Sequence, residues 1–434
     1  MREIALINHG CAKNLVDSEL MLGKLAQSGY RITLDETKAD IVIINTCSFI
    51  HDAEKESVKS IFDMINAGKK IIITGCLPQK YKKELQELIP EAVAFLGTSD
   101  IDKIVDVVKD ITKNKRKRYD VDETPEYNYP EEVKRQQITM GASSYIKIAD
   151  GCDFNCGYCI IPQLRGKYKS RKIENIISEA KDMAAKGTSE IVLIAQDTTS
   201  YGKDIYGKPS LKELLIELNK IEDLNWIRIM YTYPSLLSDD LLETINKLDK
   251  VVKYIDVPLQ HVSKNMLEKM NRPVMDNKKL IKRIRKFIPD VAIRTTFIVG
   301  YPTETQEDFD ELYDFIKEMK IDRLGVFEFS KEKNTKAYSL KPQILAKIKK
   351  QRKKILMELQ QKVSSEMNKK LIGKKIDCIV ETVTDDGRVV ARSYKDAPEV
   401  DGLVYIDTKT PVIPGDIITV KVTGANEYDL IAKL

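Results

Sequence analysis

Short apolar, β-branched runs open the chain: EIALIN (residues 3–8), DIVIIN (40–45) and KIIIT (70–74), separated by stretches with helical periodicity. Strand and helix alternating in this way predict a parallel sheet with crossover helices, a Rossmann-like amino-terminal domain. The alternation resumes at Tyr145 with YIKIA, EIVLIA (190–195), WIRIMY (226–231), YIDVPL (254–259), AIRTTFIVG (292–300) and RLGVFEFS (323–330). Six βα units without a closing pair predict an open (β/α)6 partial TIM barrel. After Leu371 the runs shorten and alternate every second residue between turns: KIDCIVE, RVVARSY, GLVYID, DIITVKVTG and YDLIAKL. That pattern predicts a small carboxyl-terminal antiparallel β-barrel of OB type.

Two seams divide these blocks. Residues 113–135 (KNKRKRYDVDETPEYNYPEEVKR) are charged, hold two prolines and almost no aliphatic residue, and predict a linker. Residues 341–370 form a helical pattern with ten Lys or Arg against two Glu, whereas residues 371–434 carry eight basic and eleven acidic residues. The chain's overall charge of +5 therefore resides in one helix, whose bland reading is a solvated face. The predicted domains are 1–112, a linker 113–137, a core 138–370 that includes the basic helix, and 371–434. No apolar run approaches the roughly 18 residues of a membrane span, and no signal-like segment precedes the first strand, so a cytoplasmic protein with reduced thiols is expected.

Cysteine placement then supplies the chemistry. Cys152, Cys156 and Cys159 stand in GCDFNCGYC, directly after the first barrel strand. Structural zinc usually takes two close pairs, and a redox pair needs only two thiols. Three thiolates so tightly spaced suit three corners of a four-iron, four-sulfur cluster whose fourth iron stays open. A second triplet is dispersed: Cys11, Cys47 and Cys76 each follow one of the first three strands within a few residues. All three are thereby expected at the carboxyl edge of one sheet, where open α/β sheets bind ligands, and so at a second cluster site. The seventh cysteine, Cys378, lies in the strand-like KIDCIVE and reads as a core residue.

The C-x-x-x-C-x-x-C loop closely resembles that of the radical S-adenosylmethionine (SAM) enzymes, in which the open iron holds SAM. Two triplets in this order, a charged linker between them and a terminal β-barrel (the TRAM domain) resemble the methylthiotransferases over essentially the whole chain. Wording favours the RimO type, which modifies an aspartate of the small-subunit ribosomal protein S-twelve, over the MiaB type, which modifies an isopentenylated adenosine in tRNA. GCAKNLVDSE (10–19), MYTYP, VPLQH (257–261) and ARSYKDAPEVDGLVYI all resemble the RimO version. Two departures stand out: Ala12 replaces a proline, and FSKEKNTKAY (329–338) lacks the family's glycine and proline. A two-cluster electron carrier is the distant alternative, and it would need ligands filling both clusters.

The resemblance implies two 4Fe-4S clusters, two SAM molecules, a ribosomal protein substrate, an electron donor such as flavodoxin or ferredoxin, and a monomer that does not use a membrane. For SAM contacts it directs attention to Tyr158, Gln196, Asp197 and Gly300, with His261 near the substrate. Each has a plainer reading: Tyr158 as core, Gly300 as a turn, Gln196 and Asp197 as loop caps, and His261 as a satisfied structural histidine. The acidic terminal barrel, lacking an aromatic stripe, suits a basic protein better than RNA, and Asp385, Asp386, Asp396, Glu399 and Asp401 are its expected contacts.

Overall fold

A computed structural model describes residues 2–113, 117–132, 134–138 and 141–434. The chain divides into two compact units: residues 1–140 with 149–154 and 160–169, and residues 141–148 with 155–159 and 170–434.

The first unit is built on a six-stranded sheet. Its strands are β1 (Glu3–Asn8), β2 (Arg31–Ile32), β3 (Ile41–Thr46), β4 (Lys70–Gly75), β5 (Ala94–Leu96) and β6 (Arg118–Asp120), in the order β2-β1-β3-β4-β5-β6. Every pairing is parallel. Both faces are buried by helices, which is why β3 and β4 read as nearly unbroken runs of Ile and Val. Val42, Ile44, Ile71, Ile73 and Phe95 lie in the core of one face. The expected linker is not free of structure, because β6 falls inside it. Arg118 there pairs with Asp110 at 2.8 Å and Asp120 at 2.9 Å, so a charged stretch still joins the sheet edge. Residues 114–116 and 133 of that linker lie outside the described residues.

The second unit holds the six barrel strands. β7 (Ser143–Lys147), Glu190–Ile194 and Trp226–Ile229 form one parallel sheet, and Tyr254–Asp256, Ala292–Val299 and Arg323–Glu328 form another. An isolated parallel bridge, Ile227 to Val251, and a bond from the Thr232 amide to the Asp256 carbonyl at 2.9 Å lie between them. The basic helix spans Ala346–Lys369, with Leu356 and Val363 buried and most of its lysines exposed. Five strands, Lys375–Val383, Val389–Ser393, Val404–Asp407, Ile417–Ala425 and Leu430–Lys433, close the terminal barrel. Its pairs are antiparallel except Val404–Asp407 with Leu430–Lys433, which run parallel. Cys378 sits fully buried in its core beside Val404 and Val420. Among the described residues no helix is long and apolar enough to cross a membrane.

The terminal barrel is fastened to the core by buried charge, which overturns part of the expected acidic surface. Asp396 accepts from Arg323 at 2.5 Å, and Asp401 accepts from the Tyr254 hydroxyl at 2.6 Å and pairs with Arg294 at 3.4 Å. Arg392 meets Glu190 at 2.5 Å and donates to Ser143 at 2.6 Å, while Arg228 donates to Glu190 at 2.7 Å and to the Tyr394 carbonyl at 2.9 Å. Ser143, Glu190, Tyr254 and Arg323 are the first residues of their strands, and Arg228 and Arg294 the third residues of theirs. All six barrel strands thus meet the segment 392–401 with polar groups near their amino ends. Asp396 and Asp401 are unavailable to a partner, and Asp385, Asp386 and Glu399 remain exposed.

Breaking such a buried pair from one side leaves an uncompensated charge, so Asp396→Ala is expected to destabilise the second unit by about 3–5 kcal/mol. Asp385→Lys, on the exposed turn, is expected to change stability by less than about 0.5 kcal/mol. Urea unfolding followed by the fluorescence of Trp226, the sole tryptophan, reads both, and equal midpoints would refute the docking role. The same network fixes an acid response. Burial alone would raise the Glu190 carboxyl, but Arg228 and Arg392 outweigh it and hold it at about 2, below its ordinary 4.5. A carboxyl lowered on folding contributes stability above its unfolded value, so this contribution is expected to be complete near neutral pH and lost as pH falls from 4.5 towards 2. Unfolding midpoints measured across that range, with Glu190→Gln lacking the slope, test it.

Candidate metal centres

In the first unit Cys11 lies three residues past β1, Cys47 directly follows β3 and Cys76 directly follows β4. Because β1, β3 and β4 are adjacent and parallel, the three thiols leave the sheet at its carboxyl edge, as the sequence predicts. Gly10 is required between β1 and Cys11: its φ is +94°, and a Cβ there would stand 2.6 Å from the Cys47 Cβ and 2.9 Å from its Sγ. Asn14, fully buried, ties the loops together, its amide donating to the His9 and Thr46 carbonyls at 3.0 Å each.

The thiols are not alike. Packing around Cys11 would raise it, but Lys13, Arg165 and the amides of Asn14 and Lys13 outweigh this and lower it. Burial pushes Cys47 up to about 12, and it raises Cys76 despite the nearby Arg165. Among the described residues no group of three His, Cys, Asp or Glu is gathered around a single-ion position. A four-iron cube takes each thiolate on a different iron, so its ligands stand further apart than those of one zinc. Three soft donors on adjacent strand ends with a buried cation beside them fit such a group.

That cation was missed in the sequence. Arg165 donates to Asp17 at 2.7 Å, to Asp150 at 3.0 Å and to the Asn14 side-chain oxygen at 2.5 Å, the same oxygen that the Cys76 thiol approaches at 4.0 Å. It is only 3% exposed. The available signal was an arginine within the apolar run IIPQLRG, six residues after Cys159, where a solvated side chain has little reason to stand.

The radical-type loop is braced locally. The Cys152 amide donates to the Gly166 carbonyl at 3.1 Å in the first unit. In the second unit the Cys159 amide donates to the Cys156 carbonyl at 3.1 Å, and the Gly157 amide to the Met270 carbonyl at 2.7 Å. The Gly157 carbonyl accepts from the Ala337 amide at 2.8 Å, which gives the divergent loop 329–338 a place: it buttresses the cysteine turn. Phe329 and Ala337 from that loop pack with Met266, Met270 and Tyr301, and Tyr158 lies against this cluster. Burial, with the neighbouring thiols, pushes the Tyr158 phenol well above its ordinary 10 despite Arg272. Arg272 donates to the Pro258 carbonyl at 2.5 Å and stacks 4.3 Å from the Tyr233 ring centre. None of the seven cysteines is in a disulfide.

The remaining expected residues have structural occupations. Gly300 has φ +71°, its amide donates to Glu304 at 2.5 Å, and a Cβ there would meet the Lys349 side chain at 2.3 Å, so the turn requires glycine. Buried His261 accepts from the Ser263 amide at Nδ1, 3.1 Å, leaving Nε2 to donate to Glu304 at 3.2 Å. Glu304 also pairs with Arg352 at 2.5 Å, so His261 belongs to a buried polar network. Asp197 caps its loop by accepting from the Thr199 amide at 2.9 Å and from the Thr199 and Ser200 hydroxyls. Gln196, beside it, is half-buried.

Comparison with known proteins agrees with this layout. Residues 3–97 match the uncharacterized protein family UPF0004, 146–316 the radical SAM superfamily and 372–434 the TRAM domain. The chain is 48% identical to the ribosomal protein uS12 methylthiotransferase RimO of Caldanaerobacter subterraneus subsp. tengcongensis, with all of both chains covered. It is 43% identical to that of Clostridioides difficile, covering 99% of this chain and 98% of the relative, and 41% identical to that of Geobacter sulfurreducens, covering 100% and 98%. Among solved structures, the radical SAM methyltransferase TsrM from Kitasatospora setae superposes with a TM-score of 0.56 at 15% identity, covering 75% of this chain and 73% of that one, a likeness of fold. By its full-length relatives, the chain belongs to the RimO family of ribosomal protein uS12 methylthiotransferases.

Proposed function

We propose that the chain methylthiolates the β-carbon of an aspartate in ribosomal protein uS12, using SAM both as radical source and as methyl donor. The observation that carries this reading is the pair of cysteine triplets: Cys11, Cys47 and Cys76 at the ends of three adjacent strands, and Cys152, Cys156 and Cys159 in one loop. Each triplet would hold a 4Fe-4S cluster through three thiolates. When bound, the clusters supply the electron that cleaves SAM to a 5'-deoxyadenosyl radical and the iron site at which sulfur is handed on. Such chemistry is required because no side-chain base can deprotonate an unactivated carbon beside a carboxylate.

The chain's own residues position and shield. Gly157, held between Met270 and Ala337, fixes the turn that carries Cys156 and Cys159. Tyr158, packed on an apolar cluster, offers a ring face for the adenine of SAM and keeps water from the cysteine loop. Arg272 keeps a positive charge at the Cys156 ligand position. Gln196 is proposed to contact SAM, whereas Asp197, Gly300 and His261 act through the loops they stabilise. The exposed Asp385, Asp386 and Glu399 are left as the terminal barrel's attraction for a basic protein. A tRNA substrate is not favoured, since the relatives matched over their full length are named for uS12. We take the electron donor to be a flavodoxin or ferredoxin and the enzyme to act as a cytoplasmic monomer.

Anaerobic reconstitution is expected to yield about eight irons per chain, four for each cluster. Replacing Cys152, Cys156 and Cys159 together with Ala should halve that figure and abolish 5'-deoxyadenosine formation, and full iron retention would contradict the assignment. The converse variant, with Cys11, Cys47 and Cys76 replaced, should still cleave SAM yet leave uS12 unmodified by mass spectrometry. Loss of SAM cleavage in that variant, if it remains folded, would show that the two sites are not separate.

A further inference from the structure

Arg165 is a buried cation of the first unit, only 3% exposed, whose neighbour Leu164 packs against Cys76. Its guanidinium is shared between Asp17 at 2.7 Å, Asp150 at 3.0 Å and Asn14 at 2.5 Å. Both carboxylates accept from Nη1, and Nη2 is turned to the Asn14 side-chain oxygen. That same Asn14 oxygen is approached by the Cys76 thiol at 4.0 Å, and the Asn14 amide bonds the His9 and Thr46 carbonyls beside Cys11 and Cys47, so Arg165 is joined to all three thiol loops.

Its origin in the chain is equally pointed. Residues 160–169, which follow Cys159 directly, belong to the compact unit that contains Cys11, Cys47 and Cys76. They are anchored there by apolar packing of Ile160 and Leu164 against Cys76 and by the Thr98 hydroxyl donating to the Leu164 carbonyl.

We propose that Arg165 is a positioning residue for the first cluster, its fixed positive charge setting that cluster's reduction potential against the opposing charge of Asp17 and Asp150. The inference rests on the two-cluster reading given above. Reducing the cluster by one electron adds one negative charge beside a buried guanidinium and two buried carboxylates. The cation favours the added electron and the carboxylates oppose it. Removing either kind of charge must then move the potential in opposite directions, which a purely architectural contact would not do.

The test uses the full chain with Cys152, Cys156 and Cys159 replaced by Ala, so that only the first cluster contributes. Anaerobic redox titration is followed by the electron paramagnetic resonance signal of the reduced cluster, alongside iron content. Relative to that parent, Arg165→Gln should make reduction at least tenfold less favourable, a fall of about 59 mV for a one-electron couple. Asp17→Asn should shift it the opposite way, and Arg165→Lys should stay nearer the parent than Arg165→Gln. Should Arg165→Gln fail to fold, Asp17→Asn still gives its required sign, a rise in potential. Unchanged potentials with full iron, or shifts of the same sign for Arg165→Gln and Asp17→Asn, would overturn the role of Arg165 while leaving the two-cluster reading intact. A parent that takes up no iron would overturn both.

Discussion

A buried guanidinium cannot lose its proton, so it must be met by carboxylates, and much of this protein's organisation follows from where those meetings occur. Arg228, Arg323 and Arg392 are met by Glu190 and Asp396 at the amino ends of the barrel strands. Arg352 is met by Glu304 under His261, and Arg165 by Asp17 and Asp150 beside a cysteine triplet. A surface ion pair contributes little to stability. Desolvated pairs like these impose a severe penalty on any arrangement that separates them, and so they specify which loops lie together.

The same arrangement explains what could be read from the sequence. Strands buried on both faces announce themselves as β-branched runs, and parallel direction then dictates the edge at which their following residues emerge. Cys11, Cys47 and Cys76 were therefore assignable to one sheet edge from order alone, and the six barrel strands and the five-stranded terminal barrel were equally legible. Asp396 and Asp401 were not. An acidic residue in a loop-like stretch looks solvated, and the cations that bury these two, Arg323 and Arg294, lie 73 and more residues away in sequence. β6 was hidden for the related reason that its charges satisfy one another locally through Arg118, Asp110 and Asp120.

Residues expected to bind ligand divide along the same line. A glycine with positive φ or a buried histidine signals an unusual environment without saying what fills it. At Gly300 the neighbour is Lys349, and at His261 it is Glu304, both from segments that sequence spacing cannot bring together. The divergent loop 329–338 shows the converse. It departs from its family's wording, yet the backbone bond from Ala337 to Gly157 and the packing of Phe329 need no particular side chain beyond an apolar one. Sequence drift there is compatible with an unchanged support for the cysteine turn.

The two ends of the barrel strands have been given opposite work. At the amino ends, the segment 392–401 of the terminal barrel caps all six strands through buried charge. At the carboxyl ends, where barrels carry their chemistry, stand the turn of Cys156 and Cys159 and its supports at Gly157, Met270 and Ala337. Of the terminal barrel's acidic residues, Asp396 and Asp401 are buried in this cap, whereas Asp385, Asp386 and Glu399 stay exposed, so the charge that holds the domain in place is separate from the charge it presents to solvent.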